Sequence, residues 1–299
     1  MKAYIELTKP NITWLILMST AVGFIFGLAG GASGWAGGGS AGGWSWIVAL
    51  HTLAGTALIA SGTSALNQWA EWRSDALMNR TKSRPIPSGR LSPGRAMAFG
   101  VALSVAGFSE LALMVNTLAG ALGLFTLLSY LLVYTPLKLR SPHATTIGAI
   151  PGAMPPLIGF AAASGTLSLE AFALFAILFL WQFPHFQAIA WMYRDDYARA
   201  GIRMLPVVEP DGASTARQML WTSAILVPVS VAPSLLDMTG FWYAAGAIVL
   251  GVAFLASAVR VANHKTILHA RGVLVASVIY LPVLYGLMVL DGPVRAHLF

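Results

Sequence analysis

One amide and two carboxylates follow one another at helical spacing near residue 70. Asn67, Glu71 and Asp75 stand at positions i, i+4 and i+8, so a helix would project all three from one face. They lie where a long apolar stretch gives way to a polar one. Mg²⁺ typically takes one or two protein carboxylates and completes its shell with water and substrate phosphate oxygens. This acidic stripe is therefore predicted to bind Mg²⁺ and to take part in catalysis.

A basic run follows the acidic stripe directly. Residues 79–87 read Asn-Arg-Thr-Lys-Ser-Arg-Pro-Ile-Pro. Arginine matches phosphate oxygens through two parallel hydrogen bonds, and lysine adds a point charge. Cations beside a metal site would therefore hold a diphosphate. The residues expected to bind it are Arg80, Lys82, Arg84, Lys138, Arg140 and Arg194.

A second acidic cluster, Asp195-Asp196, closes a later apolar stretch much as the first stripe closes an earlier one. Acids brought together at a membrane boundary repel one another unless cations bind among them. Asp195 and Asp196 are therefore predicted to complete the catalytic metal site. The alternative is that both clusters are ordinary solvated residues at a membrane interface.

The elements that position these residues are predicted to be membrane helices. Hydrophobic residues make up 57% of the 299 residues, charged residues only 10%, and the mean hydropathy is +0.72. Soluble domains carry about 25% charged residues. We therefore predict an all-α polytopic membrane protein with about nine transmembrane helices. The apolar windows are near 12–30, 44–66, 96–116, 118–135, 146–165, 168–190, 219–236, 239–259 and 270–291.

The placement of positive charge predicts the orientation in the membrane. Lys and Arg collect in cytoplasmic loops, and with the N-terminus inside, all 18 except Arg295 fall on the inner side. The C-terminus would then lie outside, with the active site at the cytoplasmic face of a bacterial inner membrane. The net charge of +7 is thus a sign of topology, and no nucleic-acid partner is expected. The absence of cysteine excludes disulfides and thiolate ligands.

The chain is predicted to form a single intramembrane domain with internal duplication. The two acidic clusters are separated by four spans, which suggests a first half of about 1–140, a second half of about 141–265 and a final helix of about 270–291. Such a duplication places a site between the halves. The Gly-, Ala- and Ser-rich segment 29–43 is expected to be an outer connection without chemistry.

Residues 67–87 resemble the first signature of the UbiA superfamily of intramembrane prenyltransferases, although Gln68 and Glu71 stand where the superfamily commonly has Asp. The chain is most similar to the branch that farnesylates haem, and the resemblance covers nearly the whole sequence. The further matching segments are 7–10, 134–138, 147–159, 181–186 and 196–206.

The resemblance implies a reaction. Farnesyl diphosphate and haem B would be the substrates, and the farnesyl group would be transferred to a haem vinyl group to give haem O and diphosphate. It also implies that Mg²⁺, held by Asn67, Glu71 and Asp75 in the first motif and by Asp195 and Asp196 in the second, activates the leaving group. Haem A synthase or a terminal oxidase assembly protein would be a downstream partner.

Several aromatic residues and one histidine could contact the haem or the prenyl chain. Trp72, Trp191 and Tyr197 lie beside the acids. His185 falls inside the sixth predicted span next to a proline, where it is either a hydrogen-bonded structural group or a haem or substrate contact.

Two other functions fit parts of the pattern. An intramembrane prenyltransferase acting on a quinone precursor or a chlorophyll-type ring would need the same diphosphate site. A transporter could also contain two related halves with acids near its spans. Transporters, however, typically place ionisable groups near the middle of the bilayer, whereas these acids cluster with cations at one predicted surface.

Overall fold

The computed structural model describes residues 1–30 and 46–292, with side chains through residue 28 in the first range. Within these ranges the regular structure is helical, with no strand, which confirms the predicted all-α class. Most of segment 29–43 and Arg295 lie outside the described residues. The helices are α1 (Lys2–Thr8), α2 (Pro10–Gly30), α3 (Trp46–Ala76), α4 (Pro93–Met114), α5 (Thr117–Leu128), α6 (Thr135–Leu137), α7 (Ala144–Gly152), α8 (Met154–Ser164), α9 (Leu169–Met192), α10 (Arg194–Arg199), α11 (Leu205–Val208), α12 (Ala213–Leu235), α13 (Phe241–His264) and α14 (Ile267–Leu290).

Nine spans in the described residues are long and apolar enough to cross a membrane, as predicted. Seven are single helices: α2, α3, α4, α9, α12, α13 and α14. The fourth span joins α5 to α6 through a π-helical turn, and the fifth is divided into α7 and α8. The division into two related halves stays a prediction.

Proline residues lie beside both interruptions. Pro136 has no N–H for the helical hydrogen bond, and one residue before it the Tyr130 carbonyl accepts from both the backbone N–H and the hydroxyl of Thr135 across the π turn. In the fifth span, Pro151 lies in the last turn of α7 and Pro155 in the first turn of α8, with Ala153 between the two helices in a non-helical conformation. Interrupted membrane helices free backbone groups and are tolerated where they line a cavity. Both interruptions therefore indicate an internal site.

The described lysines and arginines are gathered at one end of the bundle. They lie in the connections at this end or within about two helical turns of them. This end carries α1, the loop from 77 to 92, the connection from 138 to 143 and the segment from 193 to 212. At the other end of the bundle the described connections are short. The polar chemistry of the chain is therefore concentrated at a single end.

Helices α2 and α8 cross in close backbone contact. A Cβ atom at Gly23 would collide with the Pro156 backbone, and one at Gly159 would collide with the Thr20 carbonyl oxygen. Small residues let membrane helices approach until their backbones touch, because lipid provides little hydrophobic drive for association. This crossing fixes α2 against the second interrupted span.

We predict that Gly159→Ala destabilises the protein by about 1–3 kcal/mol, because the new methyl group must displace backbone atoms. Thermal unfolding in detergent, or inactivation at a fixed temperature, measures the loss. Gly286→Ala is the matched control, since this helical glycine in α14 has no atom within 4 Å of the added Cβ. Equal stability of the two variants would show that the α2–α8 crossing is not tightly constrained.

Candidate active site

A cavity of about 380 Å³ lies among α2, α3, α9 and the two interrupted spans. Its charged lining consists of Lys9, Glu71, Asp75, Arg80, Arg84 and Lys138. Its apolar and aromatic lining includes Ile12, Leu15, Ile16, Tyr130, Tyr134, Leu178, Trp181, Phe186, Ile189 and Leu281. Ile12 and Phe186 are also exposed, so the cavity is open on their side. The cavity thus combines a charged head with an apolar body.

The acidic stripe lines this cavity along α3, and the structure brings its three members together. Asn67 is buried and donates through Nδ2 to Thr135 Oγ1 at 3.2 Å. The neighbouring Gln68 points elsewhere, because its amide donates to the Leu7 carbonyl in α1. The helical spacing of Asn67, Glu71 and Asp75 therefore predicted their common face.

Each carboxylate of the stripe is paired with a cation. Glu71 Oε1 accepts from Lys138 Nζ at 2.7 Å, and Asp75 Oδ2 accepts from Arg84 Nη1 at 2.7 Å. The side chain of Asp75 is only 1% exposed. Buried charges are tolerated when they are paired and hydrogen-bonded. These two ion pairs allow the acids to sit at the head of an apolar cavity.

Two further cations, Lys9 and Arg80, line the cavity without a carboxylate partner among the described residues. Arg80 Nη2 instead donates to the Tyr197 hydroxyl at 2.9 Å. Burial lowers the pKa of Lys9 to about 7, and repulsion from Arg84 and Lys138 adds to this effect. An anion in the cavity would favour the charged form of Lys9. The head therefore carries more cations than acids and suits an anionic group.

The stripe offers donors suited to a hard divalent cation. Asp75 Oδ1 is buried and has no hydrogen-bond partner in the described part of the chain. Such an orphaned oxygen is unfavourable unless an ion or water satisfies it. No group of three His, Asp or Glu side chains arranged for a metal occurs in residues 1–28 and 46–292. Two carboxylates and the Asn67 amide nevertheless fit Mg²⁺, which takes few protein ligands.

The second acidic cluster lies beside the cavity, and neither of its members lines it. The Asp195 side chain is 89% exposed, with its nearest cation Arg194 at 3.9 Å. Asp196 is buried, accepts from the Arg80 backbone N–H at 3.1 Å and forms an ion pair with Arg199. In this structure Asp196 therefore connects the second cluster to the basic run.

The chain after Asp196 forms one wall of the cavity. Tyr197, Ile202 and Met204 line it, and the last two pack in a buried cluster with Met78. The Arg203 N–H also donates to the Lys138 carbonyl at 2.8 Å. Segment 194–208 is thus held over the charged head by side-chain and backbone contacts.

Other residues predicted from the sequence are placed outside the cavity lining. Lys82 donates to Asn79, Arg194 stacks over Trp191 at 4.7 Å, and Trp72 packs in a cluster with Leu7. The predicted site residues absent from the lining are Trp72, Lys82, Arg140, Trp191, Arg194, Asp195 and Asp196.

Lys9, Tyr130 and Tyr134 line the cavity but were not predicted as site residues. Lys9 stands directly before Pro10, in a left-handed conformation with φ 47° between α1 and α2. The sequence feature that could have indicated Lys9 is its place in segment 7–10, one of the segments that resemble the family. The tyrosines lie on the π turn, which has no clear pattern in the sequence, although Tyr134 begins the matching segment 134–138. His185, one of the open alternatives, also lines the cavity.

The fold and site define an integral membrane protein whose internal cavity has a charged head and an apolar body. Residues 23–274 match the sequence model of the UbiA prenyltransferase family. The chain belongs to this family, and it is an integral membrane prenyltransferase.

A similar relative supports the same family, and similar solved structures have the same fold. The chain is 61% identical over 302 residues to the protoheme IX farnesyltransferase of Solibacter usitatus (strain Ellin6076), covering 98% of this chain and 99% of the relative. Its fold resembles that of a digeranylgeranylglyceryl phosphate synthase, with TM-score 0.77, 16% identity and 97% of both chains covered. It also resembles a UbiA homologue from Archaeoglobus fulgidus bound to GPP and Mg²⁺, with TM-score 0.60, 17% identity and coverage of 96% and 99%.

We predict that Asp196→Asn loosens segment 194–208, because it removes the charge from the Arg80 N–H bond and the Arg199 pair. Hydrogen bonds to charged groups contribute about 1.5–3 kcal/mol, so amide exchange in this segment should rise roughly 10- to 100-fold. Asp195→Asn is the matched control, since its side chain is exposed. Equal exchange in both variants would contradict the anchoring role of Asp196.

Proposed function

We propose that this enzyme transfers the farnesyl group of farnesyl diphosphate to a vinyl group of haem B, giving haem O and diphosphate. The observation that carries prenyl transfer is the charged head of the cavity, where four cations and two carboxylates meet above an aromatic, apolar body. The haem acceptor is supported by the 61% identity to a protoheme IX farnesyltransferase across nearly the full length of both chains.

The cations of the head would bind the diphosphate. Lys9 and Arg80 have no carboxylate partner in the described residues and are the first candidates, with Arg84 and Lys138 beside them. Mg²⁺ held by Asn67, Glu71 and Asp75 would supply Lewis acidity toward the leaving phosphate oxygens. This metal dependence is supported by the orphaned Asp75 Oδ1 and by the GPP- and Mg²⁺-bound homologue.

The bond between farnesyl C1 and oxygen would break with both electrons leaving on the diphosphate. The fixed cations stabilise the negative charge that builds there, without having to reorganise. The allylic cation that remains would be stabilised by the aromatic rings of Tyr130 and Trp181, which line the cavity. The apolar lining also limits access of water to this cation.

The vinyl group of haem B would then donate its π electrons to farnesyl C1 and form the new carbon–carbon bond. The charge passes to the vinyl carbon attached to the macrocycle, where water adds and loses a proton. No oxidant is needed, because the hydroxyl group comes from hydration. The apolar product would leave into the bilayer, where a haem A synthase or a terminal oxidase assembly could accept it.

We also propose a location for the enzyme. This location is supported by the cations gathered at one end of the bundle, because Lys and Arg collect on the cytoplasmic side of membranes; that end, with the active site, would lie at the cytoplasmic face of a bacterial inner membrane. The C-terminus would then face the outside. The open side of the cavity at Ile12 and Phe186 would admit apolar substrates from the lipid.

The test is product formation by the purified enzyme in nanodiscs with haem B, farnesyl diphosphate and Mg²⁺. We expect haem O, identified by mass spectrometry, and no product when Mg²⁺ is chelated. Asp75→Asn should lower turnover by about 100-fold or more, because it removes charge next to the departing diphosphate while keeping the side-chain volume. Parallel reactions should contain an aromatic quinone precursor or a chlorophyll-type ring as the acceptor.

Asp211→Asn is the control variant, since Asp211 is exposed and does not line the cavity. It should retain wild-type turnover. Prenylation of only the aromatic or chlorophyll-type acceptor would overturn the proposed acceptor and leave the prenyl-transfer site intact. Wild-type turnover by Asp75→Asn would contradict the role of the acidic stripe.

Asp195→Asn tests the second acidic cluster. If Asp195 is a metal ligand, this variant should lose as much turnover as Asp75→Asn does.

A further inference from the structure

Ser277 on α14 determines which nitrogen of His185 carries a proton. Ser277 Oγ lies 2.6 Å from the Leu274 carbonyl oxygen and 2.8 Å from His185 Nδ1. A carbonyl oxygen has no hydrogen, so the single hydroxyl proton of Ser277 must lie in its contact with Leu274. The Ser277 oxygen therefore accepts, and His185 Nδ1 is the donor.

This assignment leaves His185 Nε2 as an unprotonated nitrogen with a free lone pair in the neutral ring. His185 lines the cavity. Nε2 has no hydrogen-bond partner within the described residues, and it is not one of the fully buried polar atoms. The lone pair is therefore available to a group in the cavity.

The imidazole is also held in a fixed orientation. Trp181 stacks on it with ring centroids 4.7 Å apart and an angle of 22° between the planes. Trp181 Nε1 donates to the Ser277 carbonyl at 2.9 Å, so both rings are hydrogen-bonded to the same residue of α14. Metal-ligating histidines typically have this arrangement, in which one nitrogen donates to a fixed acceptor and the other stays free for the metal.

In the described residues, His185 belongs to no group of three His, Asp or Glu side chains that could hold a bare metal ion. Its neighbouring rings, Trp181 and Phe186, offer no further ligand. The Gln182 amide nitrogen is engaged, because it donates to the carbonyls of Ala149 and Leu178. A metal bound here must bring its other ligands with it. A metalloporphyrin does so, and needs only one nitrogen from the protein.

We infer that His185 Nε2 coordinates the iron of the acceptor porphyrin, with Ser277 as the positioning residue that fixes the tautomer. This inference rests on the proposed function, since it assumes that haem enters the cavity. Coordination would hold the macrocycle at one depth and restrict which of its edges faces the charged head. It would thereby position a vinyl group for the allylic cation.

The experiment compares binding of haem B and iron-free protoporphyrin IX to the purified enzyme. The wild type should bind haem B more tightly and show the spectrum of a histidine-ligated haem. His185→Ala should weaken haem B binding by about tenfold or more, leave protoporphyrin IX binding unchanged and lose that spectrum. Added imidazole should restore the spectrum. His143→Ala, which removes an exposed histidine outside the cavity, should change neither affinity.

Resonance Raman spectra of the ferrous wild-type complex give a second measurement that needs no variant, since an iron–histidine stretch should appear. Absence of this band, or unchanged haem affinity and spectrum in His185→Ala, would overturn the inference.

Ser277→Ala should give weaker haem binding and a shifted iron–histidine stretch. A wild type that makes haem O without preferring the iron porphyrin would refute the ligand and leave the proposed function intact. A wild type that ligates haem through His185 but makes no haem O would refute the proposed function and leave the ligand assignment intact.

Discussion

Charge compensation at the membrane boundary is the constraint on which the rest of this structure depends. Glu71 and Asp75 can face an apolar cavity only because Lys138 and Arg84 contact them directly. The partners come from the connection after α6 and from the basic run after α3. The two ion pairs therefore also hold separate segments of the polar end in register. Lys9 and Arg80 leave the head with cations to spare, which is the electrostatic reason it suits a diphosphate.

The interrupted spans convert this charged head into a reaction chamber. The π turn before Pro136 brings Tyr130 and Tyr134 to the lining, and the break at Ala153 lets Gly152 and Pro155 contribute as well. The close α2–α8 crossing holds the second of these spans against α2. Segment 194–208 completes the wall, and Asp196 connects it to Arg80. Both interrupted spans and segment 194–208 thus contribute lining residues to the same cavity.

Much of the fold and the acidic stripe could be predicted because the deciding signals are local. Membrane length and apolar composition predict the nine spans, and the i, i+4, i+8 spacing predicts the common face of Asn67, Glu71 and Asp75. The environment of Asp195 and Asp196 could not be predicted in this way, because adjacent residues on one turn point in different directions. One of these carboxylates is exposed and the other is buried against Arg80. The place of Lys9 in the cavity lining and the contact of Ser277 with His185 depend on helices that are distant in the sequence. No spacing in the sequence encodes such contacts.

The most direct test of the charged head is an experimental structure with Mn²⁺ and the unreactive thiolo analogue of farnesyl diphosphate. Mn²⁺ favours the same oxygen ligands as Mg²⁺ and can be located by anomalous scattering. We predict a metal peak inside the cavity, bonded to Asp75 and to a phosphate oxygen, with Lys9 or Arg80 contacting the diphosphate. A diphosphate bound away from Asn67, Glu71 and Asp75, with no metal at this stripe, would contradict the account.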